Sequence, residues 1–463
     1  MMPCIQNRAV VSSGMRCAFK KRVSYNGQRK QNISSLSAPE AGKKAYKMRQ
    51  SQKQSDKGYS LDTMLAHAGI ETDHSRFNSP LSPALHMSTT YERPPSGEYP
   101  SDGFIYARES NPTRKLLEME VYRLETKGLC KDTIGGTTTA YASGMAAVNA
   151  ILMACPGAHV ILPDDCYHGV SSQLVTILNQ HGIQHTMVDM THIDMIESTI
   201  QNLASQNTKI IVWMETPSNP LAKVTDIELV CRLVQHQETQ LGVKLVTIVD
   251  STWAPPLITL PLKLGADMVM HSATKYFGGH SDLTLGIVTT SPTTQHGREL
   301  GPKLREIQTK IGAVASPFDS WLCLRGLRTL SVRLRQQCKT AMELATFLND
   351  HAFVTKVHYP GLPLHPQHDV ACKQMTQFGG MLSFELQDAA TAFAVVGGLD
   401  LIKRATSLGG TETLIEHRAS IEPPDRVTSP TGLLRLSVGL EECTDLKEDL
   451  AIALHIAQEI SAH

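Results

Sequence analysis

The chain has 463 residues, 41% of them hydrophobic and 19% charged, and its formal net charge is zero. That length and balance describe a globular protein with more than one core, and no apolar run reaches the roughly 18 residues that span a bilayer. The zero hides an asymmetry. Residues 1–58 hold 13 Lys/Arg and only two acids, Glu40 and Asp56, and the remainder holds 31 basic and 42 acidic side chains, so the body gives no reason to expect a nucleic-acid partner.

The basic head, residues 1–58, is rich in Ser and Gln and shows no core pattern. Its stretch "MRCAFKKRVSYNGQRKQNISS" lacks an apolar h-region, which argues against a secretory signal. Two readings fit that composition: an organelle transit peptide, mitochondrial or plastid, or a disordered tail on a cytoplasmic protein. The ten cysteines are scattered, without a C-x-x-C pair or a Cys/His ligand spacing. Free thiols in a reducing compartment and no structural metal are expected.

Residues 59–120 read as an N-terminal arm. From about residue 115 strands and helices alternate. "KLLEMEVYRLE" is an amphipathic helix, "AHVILPDD" a short apolar strand, and "LVTILNQHG" a helix stopped by glycine. "KIIVWMETP" is a strand closed by proline and "DIELVCRLVQHQ" a helix. "KLVTIVDSTW" and "ADMVMHSATK" are two further strands. This order predicts an α/β fold over residues 121–312, a mostly parallel sheet with helices on both faces. Ligands of such sheets sit beyond the carboxyl ends of the strands, where Tyr167, Asn219, Asp250 and Lys275 all fall. Residues 313–463 change character: a long charged helix, "SWLCLRGLRTLSVRLRQQCKTAMELATFLND", then strands "GGMLSFELQ" and "LLRLSVGLE". A smaller α+β domain is expected there.

Each candidate residue has an ordinary alternative. Lys275, in "HSATKYFGGHSD", is either a lysine that touches a ligand or a strand-end residue capping a turn. A desolvated amine there forms a Schiff base with an aldehyde. Its neighbours Ser272 and Thr274 offer hydroxyls to a phosphate, and Gly278 and Gly279 allow close backbone approach. Asp250 ends the apolar strand "LVTIVD", where a buried carboxylate wants a cation such as a pyridinium, or else caps a turn. Ser143, Gly144 and Met145 open an alanine-rich helix whose start suits an anion, or simply carries an N-cap. Tyr167 is a ring placed to stack or to pack. Asn219 sits in the stiff loop "ETPSNP", and Ser407 precedes a Gly-Gly turn. Arg435, inside the apolar strand "LLRLSVG", wants a carboxylate from a substrate or from the protein. Taken together these parts fit pyridoxal 5′-phosphate with an amino acid as substrate.

The order and spelling of "YARESNPTR", "ASGMAA", "PDDCYHG", "ETPSNP", "VDSTWAPP", "HSATKYFGGHSD", "FGGMLSFEL", "SLGGTETLIEHRAS" and "LLRLSVGLE" resemble the trans-sulfuration family of pyridoxal-phosphate enzymes, from about Leu65 to the C-terminus. The resemblance implies the fold-type-I architecture of those enzymes, with a seven-stranded, mostly parallel sheet. It implies Lys275 as Schiff-base lysine and proton shuttle, Asp250 as partner of the ring nitrogen, and Tyr167 as stacking and proton-assisting ring. Gly144, Met145, Ser272 and Thr274 match phosphate ligands. Asn219 matches a donor to the ring oxygen and substrate, Arg435 the α-carboxylate clamp, and Ser407 the residue that orients the lysine. Tyr106 and Arg108 match a pair that reaches a neighbouring subunit's phosphate, which implies a homodimer or homotetramer.

The family runs several reactions. Leu408 stands where its bacterial β-lyases carry Trp, which favours γ-chemistry. Thr406 stands where many γ-enzymes carry Glu, His168 replaces a common Gly, and "HRASIEPPDR" departs from the more usual "HPA" spelling. The expectation is a cystathionine γ-synthase-like enzyme joining cysteine to an O-activated homoserine. A cystathionine β- or γ-lyase, an O-acylhomoserine sulfhydrylase and a non-catalytic cofactor-binding paralogue are the alternatives.

Overall fold

The computed structural model describes residues 37–52, 59–70, 80–98, 103–129, 135–206, 209–422 and 427–462. Most of the basic head, with Cys4 and Cys17, and also Cys130, lie outside the described residues. Two units separate by contacts, Met1–Gly58 and Tyr59–His463. Among the described residues the first holds one helix, Ala38–Gln52, in a stretch that reads as unstructured. Its signal is local. The backbone N–H and hydroxyl of Ser37 both donate to Glu40 Oε2, at 3.0 and 2.7 Å, across an S-x-x-E box.

The second unit is built on two sheets. The larger has seven strands: β1 (Thr138–Tyr141), β2 (His159–Pro163), β3 (His185–Val188), β4 (Lys209–Glu215), β5 (Lys244–Asp250), β6 (Met268–Ser272) and β7 (Gly286–Thr290). They lie in the order β1-β7-β6-β5-β4-β2-β3. All neighbours pair parallel except at β7, which runs antiparallel to both β1 and β6. The α/β expectation holds, and β7 is the departure from a purely parallel sheet.

Two-residue periodicity explains the layering. From β4, Ile211 and Trp213 pack with Val148 and Ile151 of the helix Gly144–Ala154 and with Leu300 and Leu304 of the helix Gln295–Ile311. Ile210, Val212 and Met214 pack on the opposite face with Ile196, Ile227 and Val230, from the helices Ile193–Ala204 and Ile227–Leu241. Both faces being covered, the strands read as continuous apolar runs. The helix Ile227–Leu241 shows why its ends fall where they do. Asp226 Oδ1 accepts from the Leu229 N–H at 3.0 Å, and Gly242 ends the helix at φ 65°.

Two helical readings change. The predicted "LVTILNQHG" helix starts earlier, at His168, and ends at Thr176. A separate 3₁₀ turn, Leu178–His181, follows and is stopped by Gly182 at φ 79°. The β-branched run Val175–Ile177 is poor helix former at that break. The long helix expected after residue 320 is two, Pro317–Leu327 and Leu330–Asn349. Gly326 lies so close to the backbone of residues 277–278 that an added Cβ would meet the Gly278 carbonyl oxygen at 2.3 Å. Its own carbonyl is used by the Thr329 N–H and by Arg333 Nη2, at 3.1 and 2.8 Å. The helix Pro112–Glu125, buried through Leu117, Val121 and Leu124, runs across residue 120, so the boundary placed there falls inside an element.

The smaller sheet contains β8 (Lys356–His358), β9 (Met381–Glu385), β10 (Lys403–Arg404), β11 (Leu414–His417) and β12 (Leu433–Ser437), in the order β10-β11-β12-β9-β8. Among the described residues, no helix is long and apolar enough to cross a membrane.

Candidate active site

The parallel strands of the large sheet end at one cavity of about 390 Å³. Ten of the twelve residues to which the resemblance assigns a role line it: Gly144, Met145, Tyr167, Asn219 and Asp250, with Ser272, Thr274, Lys275, Ser407 and Arg435. Tyr106 and Arg108 do not. Tyr106 is 42% exposed, and the Arg108 guanidinium lies 5.7 Å from its ring centre while donating to the Thr309 carbonyl.

Lys275 follows β6 on a turn closed by its own N–H to the Ser272 carbonyl, at 3.0 Å. Its Nζ donates to Ser407 Oγ at 2.6 Å. Burial first, and then the Arg435 cation, lower its ammonium from 10.5 to about 8, against an opposing pull from Glu416. Ser407 holds φ +85°, a left-handed conformation that costs a non-glycine residue energy. The strained turn brings hydroxyl and amine together.

Asp250 is the last residue of β5. Its Oδ1 accepts from the backbone N–H and the hydroxyl of Thr252, at 3.0 and 2.6 Å. Burial pushes its carboxyl up, and the Thr252 bonds pull it back. Glu215 stands opposite it in register at the end of β4. Burial and the neighbouring Asp250 charge push Glu215 well above the carboxylate range. Glu215 Oε2 accepts the Tyr167 N–H at 2.8 Å. It therefore ties the stretch after β2 to the end of β4. Tyr167 is partly exposed to the cavity, and burial raises its phenol. Gly169 gives its ring room, since an added Cβ would meet Tyr167 Cε1 at 2.4 Å.

The start of the helix Gly144–Ala154 opens on the cavity with backbone N–H groups that suit an anion. Ser143 Oγ caps it, accepting the Ala146 N–H at 3.1 Å. Gly144 is a close fit: a Cβ there would lie 3.1 Å from Ser272 Oγ. The Ser272 N–H donates to Thr252 Oγ1 at 2.9 Å, which links the stretch beside that helix start to Asp250. Thr274 Oγ1 accepts the Leu285 N–H at 2.9 Å.

The small sheet supplies the opposite wall. Arg435 on β12 is paired in register with Glu416 on β11, and its Nη2 lies 2.7 Å from Glu416 Oε2. Arg435 also donates to Asn219 Oδ1 at 3.1 Å and to the Ser407 carbonyl at 3.0 Å. Burial lowers the guanidinium to about 10. Of the two partners open to Arg435 in the sequence, a protein carboxylate is already present, and the guanidinium still faces the cavity.

Sequence reasoning passed over Glu215, Thr252 and Glu416. Each had a signal. Glu215 ends an apolar strand as Asp250 does. Thr252 makes an Asx turn with Asp250. Glu416 is the one acid in the buried strand "LIEH", complementary to Arg435 in "LLRLS".

A desolvated lysine, a buried carboxylate across the cavity and a capped helix start form the set that an aldehyde-bearing, phosphorylated pyridine needs. The residues present fit such a group. The model of Cys/Met metabolism PLP-dependent enzymes matches residues 62–455, and the chain belongs to that family. Its cofactor is pyridoxal 5′-phosphate. A cystathionine beta-lyase of Lactococcus lactis is 39% identical over 404 residues, 85% of this chain and 99% of the relative. A cystathionine gamma-lyase of Bacillus subtilis is 39% identical over 400 residues, 85% and 98% of the two chains. The crystal structure of a cystathionine gamma synthase from Xanthomonas oryzae in complex with cystathionine superposes with a TM-score of 0.77. That structure is 34% identical, with 87% of this chain and 99% of the other covered.

Proposed function

We propose that this enzyme joins cysteine to an O-activated homoserine by γ-replacement, giving cystathionine. The observation that supports γ-chemistry is Leu408 in the cavity wall, and the one that supports proton transfer in any of the family's reactions is Lys275 Nζ, held 2.6 Å from Ser407 Oγ with its ammonium lowered to about 8. Such an amine both takes and returns protons near neutral pH. When bound, pyridoxal phosphate supplies an electron sink for a carbanion beside the substrate's amino group.

The chain's residues do the rest. Lys275 holds the cofactor and moves the proton at Cα and then at Cβ, which releases the group on Cγ. Asp250 keeps the ring nitrogen protonated, and Thr252 orients Asp250. Tyr167 stacks on the ring and assists proton transfer. Gly144, Met145, Ser272 and Thr274 hold the phosphate. Arg435 clamps the α-carboxylate, Asn219 orients ring and substrate, and Ser407 aims the lysine. Tyr106 and Arg108 reach the phosphate of a neighbouring subunit, so the working form is a homodimer or homotetramer. Leu408 lines the cavity and supports γ-chemistry. The basic head is read as an organelle transit peptide on its composition alone, with a plain tail as the other reading.

A lyase is the second reading, favoured by the 39% identity to enzymes named beta-lyase and gamma-lyase. The test gives residues 59–463 either cystathionine alone or cysteine with O-acetyl-, O-succinyl- or O-phosphohomoserine, with products read by mass spectrometry. Cystathionine from the second set is expected, and its acyl donor is then named. Pyruvate with homocysteine from cystathionine alone would make this a β-lyase, and 2-oxobutyrate with cysteine a γ-lyase.

A further inference from the structure

A second cavity of about 310 Å³ adjoins the first, and the two share His168, Asn219 and Arg418 in their walls. Arg418 follows β11, two residues beyond Glu416, and is 2% exposed. A buried guanidinium carries five N–H donors that all need acceptors. Among the described residues Arg418 makes one hydrogen bond, Nη1 to Glu416 Oε2 at 3.0 Å. Nη2 is 3.8 Å from Glu422 Oε1, beyond hydrogen-bond reach, and Nε has no partner.

Neither acid completes it: Glu416 Oε1 is buried without a hydrogen-bond partner and makes no bond to Arg418. Glu416 Oε2 is shared with Arg435 at 2.7 Å. Glu422 is taken up by the N–H groups of Thr428 and Ser429, at 2.7 and 3.1 Å, and by the Ser429 hydroxyl. The other charged or titratable groups of the second wall are committed too, or carry the wrong charge. Asp165 accepts from Ser218 and Leu221, Asp164 pairs with Lys223, and burial disfavours the charged form of His168 and His185. Two guanidiniums thus share one carboxylate oxygen where the two cavities meet.

We propose that Arg418 is a second carboxylate site, binding the far carboxylate of a substrate whose near carboxylate is held by Arg435. The substrate class is an amino acid carrying another amino-acid head beyond its sulfur. The first cavity takes the reacting half, and the second takes the far half. The inference rests on the trans-sulfuration reading and deepens it.

The test compares two thioethers on the holoenzyme. One is cystathionine. The other is S-(2-aminoethyl)homocysteine, which is cystathionine without its cysteine-side carboxylate. Binding is titrated by the change in the cofactor's visible absorption, and KM and kcat are read from keto-acid release. A charge-assisted bidentate contact predicts that the wild type binds cystathionine more tightly, on the order of tenfold to a hundredfold. Arg418→Gln removes that preference by weakening cystathionine alone, chiefly in KM, and Arg418→Lys restores part of it. Equal binding of both thioethers by the wild type overturns the inference, and so does an equal loss for both in Arg418→Gln. If Arg418→Gln does not hold the cofactor, the wild-type comparison alone decides. A wild type that binds neither thioether overturns the trans-sulfuration reading itself, and this inference with it. Pyruvate as the product from cystathionine would reverse the halves. S-(3-aminopropyl)cysteine then replaces the second thioether, with the same two outcomes.

Discussion

Lys275 offers a prediction whose size follows from its surroundings. An ordinary lysine, at 10.5, is neutral in roughly one molecule in 3,000 at pH 7, whereas at about 8 the neutral fraction is roughly one in ten. Only the neutral amine attacks an aldehyde. Cofactor capture by Lys275 at pH 7 should therefore be about 300-fold faster than capture by a solvent lysine of equal intrinsic reactivity. The sign is set by deprotonation: the rate rises with pH while the amine is losing its proton, then levels. In a stopped-flow assay, cofactor-stripped protein is mixed with pyridoxal phosphate between pH 6 and 10. Each rate is divided by that of a model amine, so that the cofactor's own titration cancels after correction for the model amine's neutral fraction. The expected profile climbs about tenfold per pH unit and levels near pH 8. Two variants move it in opposite directions. Arg435→Met removes a cation that holds the ammonium down, so the levelling point rises. Glu416→Gln removes an anion that holds it up, so the point falls. A profile that still climbs at pH 10, or two variants that shift it the same way, would refute the desolvation argument.

Asp250→Asn keeps the shape and most of the Thr252 contact but loses the charge. A fall in kcat of roughly a hundredfold or more is expected with the cofactor still bound, and unchanged kcat would remove Asp250 from its role. Gly286→Ala on β7 puts a Cβ within 2.2 Å of the Ser143 carbonyl oxygen, against the start of the helix Gly144–Ala154. A loss of about 1–3 kcal/mol in stability and weaker cofactor binding should appear together in thermal melts and absorbance titrations. Native-like values in both would contradict that packing. Co-expressed Lys275→Ala and Arg108→Ala chains should regain activity in mixed oligomers, because one of the two sites then has both residues intact; no recovery would rule out a shared phosphate site. A reporter fused to residues 1–58 should leave the cytosol, and a diffuse cytosolic signal would mark the head as a plain tail.

The parallel strands were legible because both faces are buried, so β4 and β5 appear as unbroken apolar runs. β3, β8 and β10 gave little signal. β3 has one buried residue in four, β8 one in three and β10 none, and strands so short and so exposed carry no apolar run. The break at residues 328–329 was invisible for another reason. It depends on Gly326 meeting the backbone of residues 277–278, a contact about 50 positions away in sequence. Most cavity residues could be found because they lie at a strand end, a helix start or beside a glycine turn, and Arg435 because it is a charge inside an apolar strand. Glu416 and Thr252 escaped because their importance is relational. Each acts on a residue already noticed, and single-position reading does not see pairs.

The charges of this cavity work against stability. Lys275, Asp250, Glu215, Glu416, Arg418 and Arg435 all line one wall system, and a buried ion pair seldom outperforms an apolar pair of the same size. A core selected for stability would not concentrate them. Their arrangement makes sense as preorganisation. The same burial that lowers Lys275 toward neutrality raises Asp250 and Glu215, so an incoming cation at Asp250 and an incoming anion at Arg435 each relieve a standing desolvation cost. Binding energy from the two ends of the cavity is then available to hold the reacting carbon beside Lys275, which is where catalysis needs it. By the same logic Arg418, which has fewer partners than Arg435, is the guanidinium that also borders the second cavity.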